Sequence, residues 1–120
     1  MVDGDLQYFS RSEFIRDGEQ WFDLMSDKLL FAVDLLRWRW SLYWGTEARI
    51  VISPHPAALG RSDGPDVLSD HNVDKWGKVY AMDVMPDYIS TQEDADAFRL
   101  LAVDCGITAV GLYPDWEPRL

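Results

Sequence analysis

Ser69-Asp70-His71-Asn72-Val73-Asp74-Lys75-Trp76-Gly77-Lys78-Val79-Tyr80-Ala81-Met82-Asp83 places one of the two histidines of the chain just ahead of an apolar run that contains a carboxylate. Val79 to Met85 reads as a strand, with Val79, Ala81, Asp83 and Met85 on one face and Tyr80, Met82 and Val84 on the other. An aspartate in the middle of such a strand loses its hydration and needs compensation. A metal ion shared with a nearby histidine is one form of compensation, and it also brings chemistry. A hydrogen bond between imidazole and carboxylate, ordering the preceding loop without a metal, is the other.

Working outward from this stretch, Pro54 to Asp74 is rich in Pro, Gly, Ser and Asp and reads as a long loop. Ahead of it, Arg49-Ile50-Val51-Ile52-Ser53 is a short β-branched strand. Ser10-Arg11-Ser12-Glu13 has the spacing of a capping box and predicts a short helix, with Tyr8 and Phe9 packed ahead of it. A longer helix is predicted from about Trp21 to Tyr43, because Phe22, Met25, Leu29, Val33, Leu36 and Trp40 recur at three- and four-residue steps. Gly45 is its expected stop. On the other side, Pro86 closes the strand and Ser90-Thr91-Gln92-Glu93 is a second capping box. It predicts a helix through Ala95, Phe98, Leu101 and Ala102 to Gly106. Thr108–Tyr113 is a final strand before Pro114. This order predicts a single α+β domain over residues 1–120, with a small, largely antiparallel sheet and helices packed against it. Residues 1–45 are its helical part, and 46–120 carry the sheet and the candidate metal-site motifs.

The composition bounds the rest. The chain has 120 residues, of which 48% are hydrophobic and six are tryptophan, enough for one real core. Twenty-one acidic against 11 basic residues give a formal charge of −10, which supplies no attraction to nucleic acid or to an anionic membrane. A lone cysteine, Cys105, excludes an intrachain disulfide and reads as a buried structural thiol. The start, Met1-Val2-Asp3-Gly4-Asp5, has no basic region followed by an apolar core, so synthesis in a cytoplasm without a signal peptide is expected. No apolar run approaches the ~18 residues of a membrane span.

With these residues in place, the chain resembles the M15 family of zinc peptidases, the D-Ala-D-Ala carboxypeptidase and phage endolysin group, in the branch common in phage genomes. Tyr8-Phe9-Ser10-Arg11-Ser12-Glu13-Phe14 is similar to that branch's opening Y-F-S-x-S-E-F. Ser69-Asp70-His71 and Ala81-Met82-Asp83 resemble the two halves of S-x-H-x-x-G-x-A-x-D. Gly106-Ile107 through Gly111-Leu112-Tyr113-Pro114 resembles the strand motif that ends in Y-P. The resemblance implies a D-Ala-D-Ala carboxypeptidase-like fold and a zinc ion (Zn2+) held by His71 and Asp83. It also implies Ser69 lining the site, with Arg61 as the nearest substitute for the family's S-G-Y-R arginine, to hold a substrate carboxylate or an oxyanion.

Asp115 falls where the family places its catalytic acid, and an acidic solvated tail is the other reading of Asp115 and Glu117. The family's third ligand is a histidine after the Y-P strand, which Asp115–Leu120 do not contain. The third donor is then expected beyond Leu120, from a partner, or from His55. His71 and Asp83 stand twelve residues apart, wider than the family step, so Asn72 to Lys78 is expected to bulge out as an extra loop.

The activity so implied is hydrolysis of a peptidoglycan peptide by a phage or prophage hydrolase. The metal acidifies a water and polarises the scissile carbonyl while a carboxylate moves the proton. The alternative is a degenerate copy of the same fold, associated with other virion or tail proteins as a structural component. Trp38 and Trp44 fall off the helical stripe and read either as ordinary partly buried side chains or as anchors for a partner or sugar ring. Asp63, Asp66, Asp70 and Asp74 do not have the spacing of an EF-hand calcium loop.

Overall fold

In a computed structural model, residues 6–16, 18–53 and 58–107 are described. In chain order they form β1 (Ile15–Arg16), β2 (Glu19–Gln20), α1 (Asp27–Trp44), β3 (Ile50–Ile52), α2 (Val73–Trp76), β4 (Val84–Pro86) and α3 (Gln92–Asp104), with 3-10 turns at Arg11–Phe14 and Phe22–Leu24. β1 pairs with β2 and β3 with β4, both antiparallel, giving two separate two-stranded sheets. The architecture is a small α+β domain around one core cluster, to which α1, β3, β4 and α3 all contribute buried side chains. Among the described residues no helix is long and apolar enough to cross a membrane.

The expected stripe Phe22, Met25, Leu29, Val33, Leu36 and Trp40 is buried throughout, but the helix that carries it starts later than its periodicity suggests. Ser26 caps α1 by accepting the Leu29 N–H at 3.3 Å, so the helix begins at Asp27. The residues ahead of the cap are held elsewhere. Val79 N–H donates to Leu24 O at 2.7 Å and Ser26 N–H to Val79 O at 2.8 Å, a parallel bridge between Met25 and Val79. Phe22 and Met25 therefore reach the core from a 3-10 turn and an extended residue. Gly45 ends α1 with φ of 70°, in the left-handed region that favours glycine.

The same bridge breaks the expected strand Val79–Met85. Val79 is spent on Met25, and Tyr80 N–H donates to Asp70 O at 2.8 Å. Only Val84–Pro86 joins β3, in the register Ile50↔Pro86, Val51↔Met85 and Ile52↔Val84. The alternation fails accordingly: Val79, Met82 and Val84 are buried, whereas Tyr80 is half exposed. A period-2 pattern cannot run through a segment whose two halves pair with different partners.

The capping box at Ser10 forms, with Glu13 accepting the Ser10 N–H at 2.7 Å, over one 3-10 turn. The second box is displaced by one residue. Thr91, not Ser90, caps α3 by accepting the Asp94 N–H at 3.1 Å, and Asp94, not Glu93, reaches back to the Ser90 N–H at 3.1 Å. The expected strand Thr108–Tyr113 lies outside the described residues.

Candidate metal centre

The chain between β3 and β4 is held by its own loop residues. Arg61 N–H donates to His71 O at 2.8 Å and Val73 N–H to Arg61 O at 3.0 Å, laying residue 61 beside residue 72. Asn72, fully buried, organises the segment. Its amide donates to Gly64 O at 2.7 Å and Val67 O at 2.8 Å, while its carbonyl accepts from Asp63 N–H at 3.1 Å and Asp74 N–H at 3.2 Å. The same carbonyl caps α2. Asn72 to Lys78 is thus one capped helical turn rather than an open bulge, and Gly77 closes it with φ of 76°.

Asp83 is fixed from two sides. Its carbonyl accepts the Ser53 N–H at 2.9 Å, extending the β3–β4 ladder by one step, and its own N–H donates to Ala58 O at 2.9 Å. The loop and the ladder meet where His71 Nε2 stands 3.5 Å from Asp83 Oδ1, with only 17% and 15% of the two side chains exposed. That separation exceeds an N–H···O hydrogen bond, whose range is about 2.7–3.2 Å. The two side chains stand as an ion pair at a distance long for a direct hydrogen bond.

Both His71 Nδ1 and Asp83 Oδ1 are buried without a hydrogen-bond partner among the described residues. Buried polar atoms of this kind are costly unless something else satisfies them. Tetrahedral zinc with legs of about 2.0–2.2 Å sets two of its donors about 3.4 Å apart. The 3.5 Å between His71 Nε2 and Asp83 Oδ1 fits that span. Among the described residues no group of three His, Cys, Asp or Glu side chains that could hold a metal ion is found. His55 and Asp115, the other residues singled out from sequence, lie outside the described residues.

Ser69 sits two residues from the imidazole, where its Oγ accepts the His71 N–H at 3.2 Å. The Trp76 indole donates to Ser69 O at 3.0 Å, tying α2 to the same turn. Arg61 is joined to the loop through its backbone, and its Nε lies 3.1 Å from Asp63 Oδ2. Ser69 and Arg61 thus belong to the segment that presents His71: Ser69 fixes the turn, and Arg61 is held by Asp63. Asn72 was missed as an organiser. Its signal was an asparagine directly before a four-residue helical turn, the preferred position of an N-cap.

Packing bears on two further readings. Trp44 is half-buried against the core and stands edge-on to Trp40 at 5.6 Å, while Trp38 is exposed. Cys105 is the C-cap of α3 and is half-buried rather than buried, and burial pushes its thiol pKa upward. Comparison of the chain with protein-family models, with curated proteins and with solved structures finds no match.

Proposed function

We propose that this chain is a zinc-dependent peptidase of M15 type, acting on a peptidoglycan peptide, with His71 and Asp83 as two of its metal ligands. One observation carries the reading: His71 Nε2 and Asp83 Oδ1, on two largely buried side chains, face each other at 3.5 Å, a span that suits two donors sharing zinc and is long for a direct hydrogen bond.

Bound zinc supplies Lewis acidity and a water acidified toward neutral pH. The chain's own residues do the rest. Ser69 holds the His71 backbone, and the Ser53 and Ala58 contacts hold Asp83, so both donors are placed before a metal arrives. Arg61, released from Asp63, is the cation for a substrate carboxylate or a developing oxyanion. Asp115 is the proposed proton carrier, by its place after the Y-P motif.

The test is zinc content and calorimetric titration of the purified chain, beside His71→Ala and Asp83→Asn, with cell-wall zymograms of all three. The expected result is one zinc per chain, binding weakened at least about tenfold in each variant, and wall lysis by the parent alone. Zinc uptake equal in parent and variants overturns the site. Site-specific zinc without lysis overturns the peptidase and leaves a metal-bearing structural component of the virion or tail.

A further inference from the structure

A groove on α1 lies outside the His71–Asp83 site. It measures about 440 Å3 and is lined by Gln7 and Tyr8 of the N-terminal segment and by Phe31, Asp34, Leu35 and Trp38 of α1. That volume falls within the roughly 300–1,000 Å3 of small-ligand sites. Phe31, Leu35 and Trp38 follow one another at four- and three-residue steps and so share a helical face. They are 46%, 41% and 41% exposed, and Tyr8 is 39% exposed. The rings of Tyr8, Phe31 and Trp38 have no aromatic or cationic partner among the described residues. The other α1 tryptophans, by contrast, pack with Tyr43, Tyr88 and Phe98.

Among the described residues, Asp34 is the only formally charged one that lines the groove. It is 8% exposed and accepts the backbone N–H groups of Gln7 at 3.0 Å, Tyr8 at 2.8 Å and Phe9 at 3.2 Å. A carboxylate has about four acceptor positions, so three are already used. What it still offers is negative charge more than hydrogen-bonding capacity. A primary ammonium carries three donors that each need an acceptor, whereas a quaternary ammonium carries none. Arg37, the nearest basic residue along α1, is turned away to Glu13 at 3.2 Å and the Phe9 ring at 4.7 Å. Aromatic walls beside a buried carboxylate with most of its acceptor positions used, on a chain of charge −10, are complementary to a cation that needs charge and ring faces only.

We propose that this groove binds a quaternary ammonium group, with Tyr8, Phe31 and Trp38 as the ring walls and Asp34 as the charge. The test titrates the full chain with choline, with its neutral carbon isostere 3,3-dimethylbutanol and with butylammonium, read by calorimetry and by the indole N–H resonances of the six tryptophans. The expected result is a shift centred on Trp38 and choline binding at least about tenfold tighter than the isostere. Trp38→Ala and Asp34→Asn should abolish it. Asp34→Asn also loosens the Gln7–Phe9 anchor, so Trp38→Ala and Phe31→Leu, at exposed positions, carry the result if that variant does not fold. Equal binding of the isostere, tighter binding of butylammonium, or no response at Trp38 overturns the proposal.

Discussion

At Asn72, four hydrogen bonds end on one buried amide. Asn72→Ala strips two carbonyls and two N–H groups of their partner. Each would cost roughly 1–3 kcal/mol if it stayed dry, and water recovers part of that because the loop around them is exposed. The expected loss is about 2 kcal/mol, read as a lower urea midpoint at unchanged slope, with faster amide exchange at Asp63 and Asp74. Asn72→Asp should cost at least as much, since it turns an acceptor toward the Gly64 and Val67 carbonyls. A loss below about 0.5 kcal/mol, the ordinary surface range, would remove Asn72 from its organising role. The contrast with His71 shows what a sequence reveals at this scale. A histidine ahead of a carboxylate in an apolar run stands out by residue type alone, whereas the importance of Asn72 lies in partners that only the folded loop supplies. Gly60 is similar: an added Cβ there would sit 2.8 Å from Trp21 and 2.9 Å from Val79, a constraint invisible from its neighbours in the chain.

Single elements were legible where one periodicity met one partner. The α1 stripe from Leu29 to Trp40 was readable because that face is continuous and Gly45 marks the stop, whereas Phe22 and Met25 fit the same period from outside the helix. Val79–Met85 was not, because an apolar run does not announce that its first residue pairs with Met25 and its last with β3. Capping chemistry was legible in kind but slipped by one residue at α3, where Ser90-Thr91 offers two consecutive hydroxyls. The observed cap has a pH consequence. The Asp94 carboxyl is held below its ordinary value of 3.8, first by the Ser90 N–H and then by the Thr91 and Ser90 hydroxyls, against some desolvation. A depressed carboxylate contributes stability that is fully present above its unfolded pKa, about 3.9, and is lost as pH falls through the folded value. Asp94→Asn should therefore lower stability at neutral pH by an amount that shrinks below about pH 4. Urea unfolding of parent and variant from about pH 6 to pH 2 measures this. A difference that stays constant with pH would separate Asp94 from the acid limb.

For the whole molecule, charge outweighs any single ion pair. Arg11, Arg37, Arg39, Arg49, Arg61 and Arg99 each meet an acid locally, at Asp23, Glu13, Asp104, Asp87, Asp63 and Asp96. Twenty-one acids against 11 bases still leave a surplus of ten negative charges. Exposed pairs contribute about 0–1 kcal/mol each, and salt weakens them. Salt also weakens the mutual repulsion of the surplus, which acts over the whole surface and destabilises the compact state. The Debye length shrinks from about 30 Å at 0.01 M to about 3 Å at 1 M, so the long-range repulsion is removed before the short contacts. Melting should therefore rise by a few degrees between about 0.01 and 0.5 M sodium chloride, and a fall would mean that the arginine pairs dominate. The same surplus attracts any divalent cation. Zinc titrated at low salt would stabilise even a chain that lacks His71, through charge neutralisation alone. At about 0.15 M salt or above that contribution is screened. The stabilisation left between parent and His71→Ala then belongs to the two donors that meet at 3.5 Å.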